Sequence, residues 1–266
     1  MAENDNLKGR TALVTGSVGG LGYHMACGLA DAGANVMFCD LHAPEDCHQE
    51  LENALEMYGE RVAYQRADLS DAVAVQHVVE QTVSRFGSLE ILVNNAVVRH
   101  FAPIEVLALD DWNRAVSVNL TAAFVATKLA LPIMRQAGYG RIFNMTSVFG
   151  PRATINRADY ITTKAALQGL TRATAIEVAR DPISCHGLTP GSVHTPGTQL
   201  RIELLSQSAG ISQREAEARF LDGKQPNGRF VDPGSIVTAM LMLCGSAGQD
   251  MNGAIMPIEG GWLSRS

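Results

Sequence analysis

The sequence predicts an α/β protein built on one doubly wound parallel sheet with helices on both faces. Three observations predict it. Short apolar runs of β type alternate with segments of helical periodicity along the whole chain. A glycine-rich turn follows the first apolar run and opens the first helix. No Pro/Gly/Ser linker and no internal repeat divides the 266 residues, a length that α/β folds often occupy as one domain.

The elements follow in order. Thr11–Thr15 (TALVT) reads as a strand, and 21–32 as a helix that Gly33 is suited to end. Asn35–Asp40 is the second strand, 44–58 a helix, Val62–Arg66 a strand and Ala72–Phe86 a helix. Ile91–Asn94 is short, apolar and fit for a buried strand. Residues 110–136 carry a long helical pattern, with Pro132 as a kink or late break. A strand at 141–145, a long helix at 159–180 and a strand at 183–188 come next. Within 232–245 lies a helix with Asp232 as N-cap and Pro233 at its first position, and 254–257 is the last strand. The stretch 191–228 is too long for an ordinary connection and includes one helical piece, Gln213–Leu221. It follows a strand, where open α/β sheets bind ligands, and has the profile of a substrate lid.

Composition excludes several function classes. Hydrophobic residues make up 46% and charged residues 18%, so disorder is not expected. Net charge is −6 with no Lys/Arg-rich run, which argues against nucleic acid and acidic membrane surfaces as partners. The first ten residues are polar and lack the apolar core of a secretory signal. No stretch approaches the roughly 18 apolar residues of a membrane span. The five cysteines are odd in number, scattered and without a C-x-x-C, which fits a reduced, cytoplasmic protein. Cys39, His42, Cys47 and His48 have spacings that a zinc site can use. Cys39 ends an apolar run and is expected to face the core, with the others in a polar stretch, so no metal site is expected.

The glycine-rich turn is Thr15-Gly16-Ser17-Val18-Gly19-Gly20-Leu21-Gly22. Glycines let the backbone turn tightly and approach a pyrophosphate, while the helix that follows points its N–H groups at that charge. Asp40 closes the second strand. A carboxylate there accepts hydrogen bonds from ribose hydroxyls and repels a 2′-phosphate. No Arg stands at Ser17, Val18 or Leu41 to neutralise such a phosphate, so NAD is the expected cofactor. Tyr160 and Lys164 are four apart, so one helix face presents both. A free phenol holds its proton too tightly to serve as a base at neutral pH, and an ammonium nearby favours the phenolate. Ser147, at the end of a strand, is placed to hydrogen-bond a substrate oxygen.

The spacing Gly16-x3-Gly20-x-Gly22 resembles the short-chain dehydrogenase/reductase family, and the resemblance covers nearly the whole chain. Asp68-Leu69 is similar to the family's adenine-side pair. Asn94-Asn95-Ala96 is similar to its N-N-A-G stretch, with Val97 in place of the glycine, a change expected to cause a small shift without loss of binding. Asn119, Ser147, Tyr160 and Lys164 stand at the family's catalytic positions, and Pro190-Gly191 and Val193-x-Thr195 at its nicotinamide-side loop. The resemblance implies a single-domain Rossmann-type fold, an oxidoreductase acting on CH–OH groups, and a homotetramer assembled through the long helices and the C-terminal segment. It also implies that Asn119 holds a water relaying protons from Lys164 to solvent. The alternative is a dinucleotide-binding regulator or scaffold without catalysis. Such proteins usually lose the tyrosine, lysine or serine, and all three are present here.

The substrate side most resembles that of bacterial D-3-hydroxybutyrate dehydrogenases, on Arg99 to Glu105, Ser147 to Gly150, Lys224-Gln225-Pro226 and Gly260 to Leu263. Those enzymes grip a carboxylate with polar side chains. Gln199 is kept at one such position. Arg99 stands where they usually have glutamine, Arg157 where they have lysine, Phe149 for a histidine and Ser192 for a tryptophan. Arginine can fork onto two oxygens of an anion, and serine for tryptophan opens volume. The expected substrate is a hydroxy acid larger than 3-hydroxybutyrate, or an acidic sugar, touching Arg99, Ser147, Phe149, Arg157, Tyr160 and Gln199.

Overall fold

The computed structural model describes residues 7–43 and 49–264. Strand β1 (Thr11–Thr15) leads through helix α1 (Gly20–Asp31) to β2 (Asn35–Asp40), and α2 (Gln49–Tyr58) to β3 (Val62–Arg66). Then come α3 (Ala72–Phe86), β4 (Ile91–Asn94), α4 (Leu109–Val116), α5 (Ala122–Ala137) and β5 (Gly140–Met145). The chain continues through α6 (Ala158–Glu177), β6 (Ile183–Pro190), α7 (Pro196–Ala209), α8 (Gln213–Leu221), α9 (Pro233–Cys244), α10 (Ala247–Asp250) and β7 (Ile255–Ile258).

The seven strands form one sheet in the order β3-β2-β1-β4-β5-β6-β7, and every pairing is parallel. Parallel strands need crossovers, and the helices that supply them cover both faces. Side chains alternate along each strand into two cores. Val14, Phe38 and Phe143 pack with Met25 and Leu29 of α1 and Ile236 and Met240 of α9. Leu13, Leu92 and Ile142 pack on the other face with Val75 and Val79 of α3 and Ala126 and Met134 of α5. The chain winds outward both ways from β1 and β4, which leaves a crevice at their C-terminal ends.

Three expectations change. First, residues 109–137 form one helical run in which α4 and α5 are joined by a π turn, Ser117–Thr121, and Pro132 lies inside α5 without ending it. The run is long and apolar enough to cross a membrane by length and composition, with mean hydropathy 1.5 over 18 residues, contrary to the reading that no stretch approaches such a span. Here its Ala122, Ala126, Ala130 and Met134 lie buried in the core. Second, 191–228 holds two helices, not one. Thr195 caps α7 by accepting from Thr198 N, Pro196 takes its first turn, and Gly210 ends it in the left-handed region. Ile202, Ala216, Phe220 and Leu221 give this α7–α8 hairpin a small core of its own. Third, the helix expected over 44–58 is seen from Gln49, since 44–48 lie outside the described residues.

Candidate active site

A cleft of about 750 Å³ runs across the C-terminal ends of the strands. At one end the β1–α1 turn is held open by its glycines. Gly16 has φ +64°, and a Cβ on it would sit 2.8 Å from Ala96 Cα. A Cβ on Gly22 would sit 2.0 Å from Gly16 O, so no side chain fits. Asn95 ties this turn to β4, its Nδ2 donating to Thr15 O (2.9 Å) and Gly16 O (2.7 Å). No side chain caps α1, and Gly19, Gly20 and Leu21 line the cleft. An uncapped helix start beside a side-chain-free turn fits a pyrophosphate. Asp40 Oδ1 accepts from Leu41 N (2.8 Å) and His42 Nδ1 (3.0 Å), and Oδ2 from Val18 N (3.2 Å), which fixes its carboxylate in the lining. Asp68 accepts from Ser70 N and Ser70 Oγ, and these bonds hold its carboxyl below the usual range. Leu69, Pro190, Gly191, Val193 and Thr195 also line the cleft.

Ser17 does not. It is fully buried, its Oγ donating to Val14 O (2.8 Å) and accepting from Cys39 N (2.9 Å). It braces β1 against β2 from beneath the turn. Cys39 is buried beside it, and Cys47 and His48 of the considered metal cluster lie outside the described residues.

Ser147, Tyr160 and Lys164 all line the cleft. Lys164 is buried, and its Nζ donates to Met145 O at the end of β5 (2.5 Å) and lies 5.7 Å from the Tyr160 ring centroid. Burial, with the charge of Arg99 added, lowers its pKa to about 7. Ser147 lies two residues past Met145, its Oγ accepting from Phe149 N (3.2 Å). Asn119 lies in the π turn, outside the lining. Its Oδ1 accepts from Val98 N (2.8 Å), and its Nδ2 donates to Val98 O (2.9 Å) and Thr163 Oγ1 (3.1 Å). The carboxamide therefore fastens residue 98 to α6, which leaves little of it for the water expected there.

The far end carries four cations. Arg99 lies 5.8 Å from the Tyr160 ring centroid. Arg157 stacks at 4.4 Å over Phe101 and faces Tyr160 at 5.0 Å and Phe149 at 5.6 Å. Its Nε and Nη2 are buried without a hydrogen-bond partner. Arg201 of α7 and Lys224 lie over Phe220 at 4.9 and 3.5 Å. Among the described residues no carboxylate pairs with any of the four. The two carboxylates in the lining, Asp40 and Asp68, belong to the glycine-turn end. Burial lowers Arg157 to about 10, and Arg99 and Arg201 add to it. Burial, then Arg201 and Arg157, brings Lys224 to about 8.

Of the expected substrate residues, Arg99, Ser147, Phe149, Arg157 and Tyr160 meet here. Gln199 does not line the cleft, because its Nε2 donates to Glu203 Oε1 one turn along α7 (2.7 Å). Arg201, two residues on, lines the cleft instead. Sequence reasoning missed Arg201 and the role of Lys224. The available signal was Lys224's place in the quoted Lys-Gln-Pro stretch.

A doubly wound sheet, a glycine cradle at its switch point and a buried lysine beside a half-buried tyrosine define an oxidoreductase that uses a nicotinamide dinucleotide. Residues 10–220 match the family model for short chain dehydrogenase, and the chain belongs to that family. It is 36% identical over 259 residues to D-beta-hydroxybutyrate dehydrogenase of Cupriavidus necator, covering 97% of this chain and all of the relative. It is 31% identical to 2-dehydro-3-deoxy-D-gluconate 5-dehydrogenase of Dickeya dadantii, with 98% of both chains covered. Among solved structures it is similar to L-sorbose reductase from Gluconobacter frateurii complexed with NADPH and L-sorbose, at TM-score 0.92 and 27% identity, covering 99% of this chain and all of that one. The protein is thus an oxidoreductase acting on the CH–OH group of hydroxy compounds.

Proposed function

We propose an NAD-dependent dehydrogenase that interconverts a secondary alcohol, or a sugar hemiacetal, and the carbonyl on a small anionic hydroxy compound. The observation that carries this reading is the group of four cations in the cleft, two of them beside Tyr160, with no carboxylate partner among the described residues, one of them a buried guanidinium with two unpartnered nitrogens. A desolvated cation without a counter-ion is destabilised, and a bound anion offsets that cost. When bound, the dinucleotide supplies the hydride acceptor or donor. Tyr160 takes or gives the hydroxyl proton, Lys164 favours its phenolate, and Ser147 donates to the substrate oxygen. Asn119 acts through Val98 and Thr163 as a positioning residue. Asp40 selects NAD by apposing its carboxylate to where NADP carries a phosphate, although the similar sorbose reductase is described with NADPH. The chain acts as one catalytic domain, with 191–228 as the lid that brings Arg201 and Lys224 onto the anion and excludes water.

The preferred substrates are hydroxy acids larger than 3-hydroxybutyrate and acidic sugars bearing a carboxylate or sulfonate. The test is reduction of NAD and NADP against a panel of such acids, each paired with its neutral analogue. The acids should exceed their neutral partners in kcat/KM by about tenfold or more. A neutral alcohol or steroid as the best substrate would overturn the reading.

A further inference from the structure

Among the described residues no hydrogen bond or ion pair fixes the Arg99 side chain, yet it lies over the ring of Tyr160. Its two chain neighbours are both fastened to α6. On one side Val98 is held through N–H and C=O by the Asn119 carboxamide, which reaches on to Thr163. On the other side His100 is held by Asp159, the residue before Tyr160. Asp159 is fully buried. Its Oδ2 receives both His100 N (3.1 Å) and His100 Nδ1 (2.9 Å), and its Oδ1 receives Tyr160 N (2.6 Å). No side chain caps α6, so this carboxylate serves the first turn from within, where the helix start favours a negative charge.

His100 also reaches α4. Its Nε2 lies 3.5 Å from Asp111 Oδ1. Nδ1 must carry a proton to bond an ionised carboxylate, which fixes which ring nitrogen faces α6. The residue is therefore tied to α6 through Asp159, with Asp111 of α4 facing the other ring nitrogen, and Arg99 rides between two anchored residues.

We propose that His100 and Asp159 are positioning residues for substrate recognition: together they set where Arg99 stands relative to Tyr160, so that anion binding and the proton-transfer group keep one geometry. A buried carboxylate with three N–H donors is a stiff joint, because breaking any one bond leaves charge unsolvated. The inference rests on the reading of Arg99 as a substrate contact. A displaced Arg99 weakens binding of the anion in ground and transition states alike, so KM changes more than kcat.

The experiment compares His100→Leu, His100→Asn and Asp159→Asn in the full-length, NAD-saturated protein. The kinetic probe is the panel acid with the highest wild-type kcat/KM. His100→Leu keeps the size but loses the ring donor, and it should raise KM for that acid about tenfold, with kcat and KM for NAD changed by less than about threefold. Asparagine places a side-chain amide near the Nδ1 position and should recover most of the loss. His100→Leu combined with Asp159→Asn should do no more than Asp159→Asn alone, since one bond cannot be lost twice. Hydrogen exchange supplies a readout free of the substrate question. Either single variant should raise exchange in both segments, 97–103 and 158–163. An unchanged KM for His100→Leu, additive losses in the double variant, or exchange confined to the mutated segment would overturn the proposal. If Arg99→Gln leaves KM unchanged while exchange stays coupled, the substrate reading of Arg99 fails and the joint stands. If Asp159→Asn does not fold, the two His100 variants decide the question by KM and exchange.

Discussion

Replacing Arg157 by Met should make the ligand-free protein more stable and the enzyme worse. Arg157 is buried with Nε and Nη2 unpartnered, and its aromatic neighbours compensate only part of the lost hydration. Burial lowers its pKa to about 10, and that fall reflects this penalty. At about 1.36 kcal/mol for each tenfold change in proton affinity, it is worth at most about 3 kcal/mol. The cleft is open to water, and screening reduces the figure to about 1–2 kcal/mol. Methionine keeps an unbranched chain against Phe101 and Phe149, and its sulfur contacts aromatic edges, so little packing is lost. For a chain of this size the gain corresponds to a Tm rise of about 3–6 °C.

The sign with pH follows from linkage. The folded state holds this proton less tightly than the unfolded chain, so the penalty is present in full below about pH 10 and fades as pH rises above it. The Tm difference between variant and wild type should therefore be flat across the neutral range. Differential scanning fluorimetry without ligand reads it directly. The same substitution removes a forked, charge-assisted contact and should raise KM for an anionic substrate about 10- to 100-fold. A lower Tm together with an unchanged KM would show that Arg157 is a structural side chain, and the reasoning would fail at its first step.

Tyr160→Phe should lose about 10²–10⁴-fold in kcat while NAD binding, followed by fluorescence quenching, stays near wild type; near-normal turnover would remove Tyr160 from the proton path. NAD should bind more tightly than NADP by on the order of 1 kcal/mol, and Asp40→Ala should narrow that gap in dinucleotide titrations. Arg99→Gln should raise the pKa of Lys164, because the Arg99 charge adds to burial in lowering it to about 7. The limb of the pH–rate profile that reports Lys164 then moves to higher pH, and an unmoved limb would detach Arg99 from the catalytic pair. Light scattering at micromolar concentration should report a tetramer, since Leu109, Phe124 and Ile176 leave apolar surface exposed on the long helices; a monomer would refute it.

Much of this fold is readable from short-range patterns. β1, β2, β3, β4 and α3 lie where the apolar runs and the helical periodicity place them, and β1, β2 and β4, buried along nearly their whole length, read as largely apolar runs for that reason. Asp232 caps α9 through Gly234 N, as the Asp-Pro pair signals. The misreadings share a cause. α7 buries only Ile202 fully, so it lacks the apolar stripe that marks a helix, although its Thr195-Pro196 start and Gly210 end were in plain view. The π turn at Ser117–Thr121 has no periodic signature at all and emerges from the bonds Asn119 makes across space.

The site divides along the same line. Glycines, Asp40 and the Tyr–Lys pair act through local backbone and one helix face, so spacing alone exposes them. The cation cluster does not work that way. Arg99 follows β4, Arg157 precedes α6, Arg201 rides α7 and Lys224 follows α8, and no window of sequence contains two of them. What makes them a site is a subtraction that only three dimensions reveal: four positive groups on aromatic faces that no carboxylate pairs with among the described residues. Gln199 shows the converse, since a residue of the right type at the right position turns to Glu203 when helical spacing offers it a closer partner. Sequence position alone therefore identifies which residues can bind an anion. The unanswered charge identifies which of them are placed to do so, and it predicts that stability and substrate affinity will move in opposite directions when Arg157 is removed.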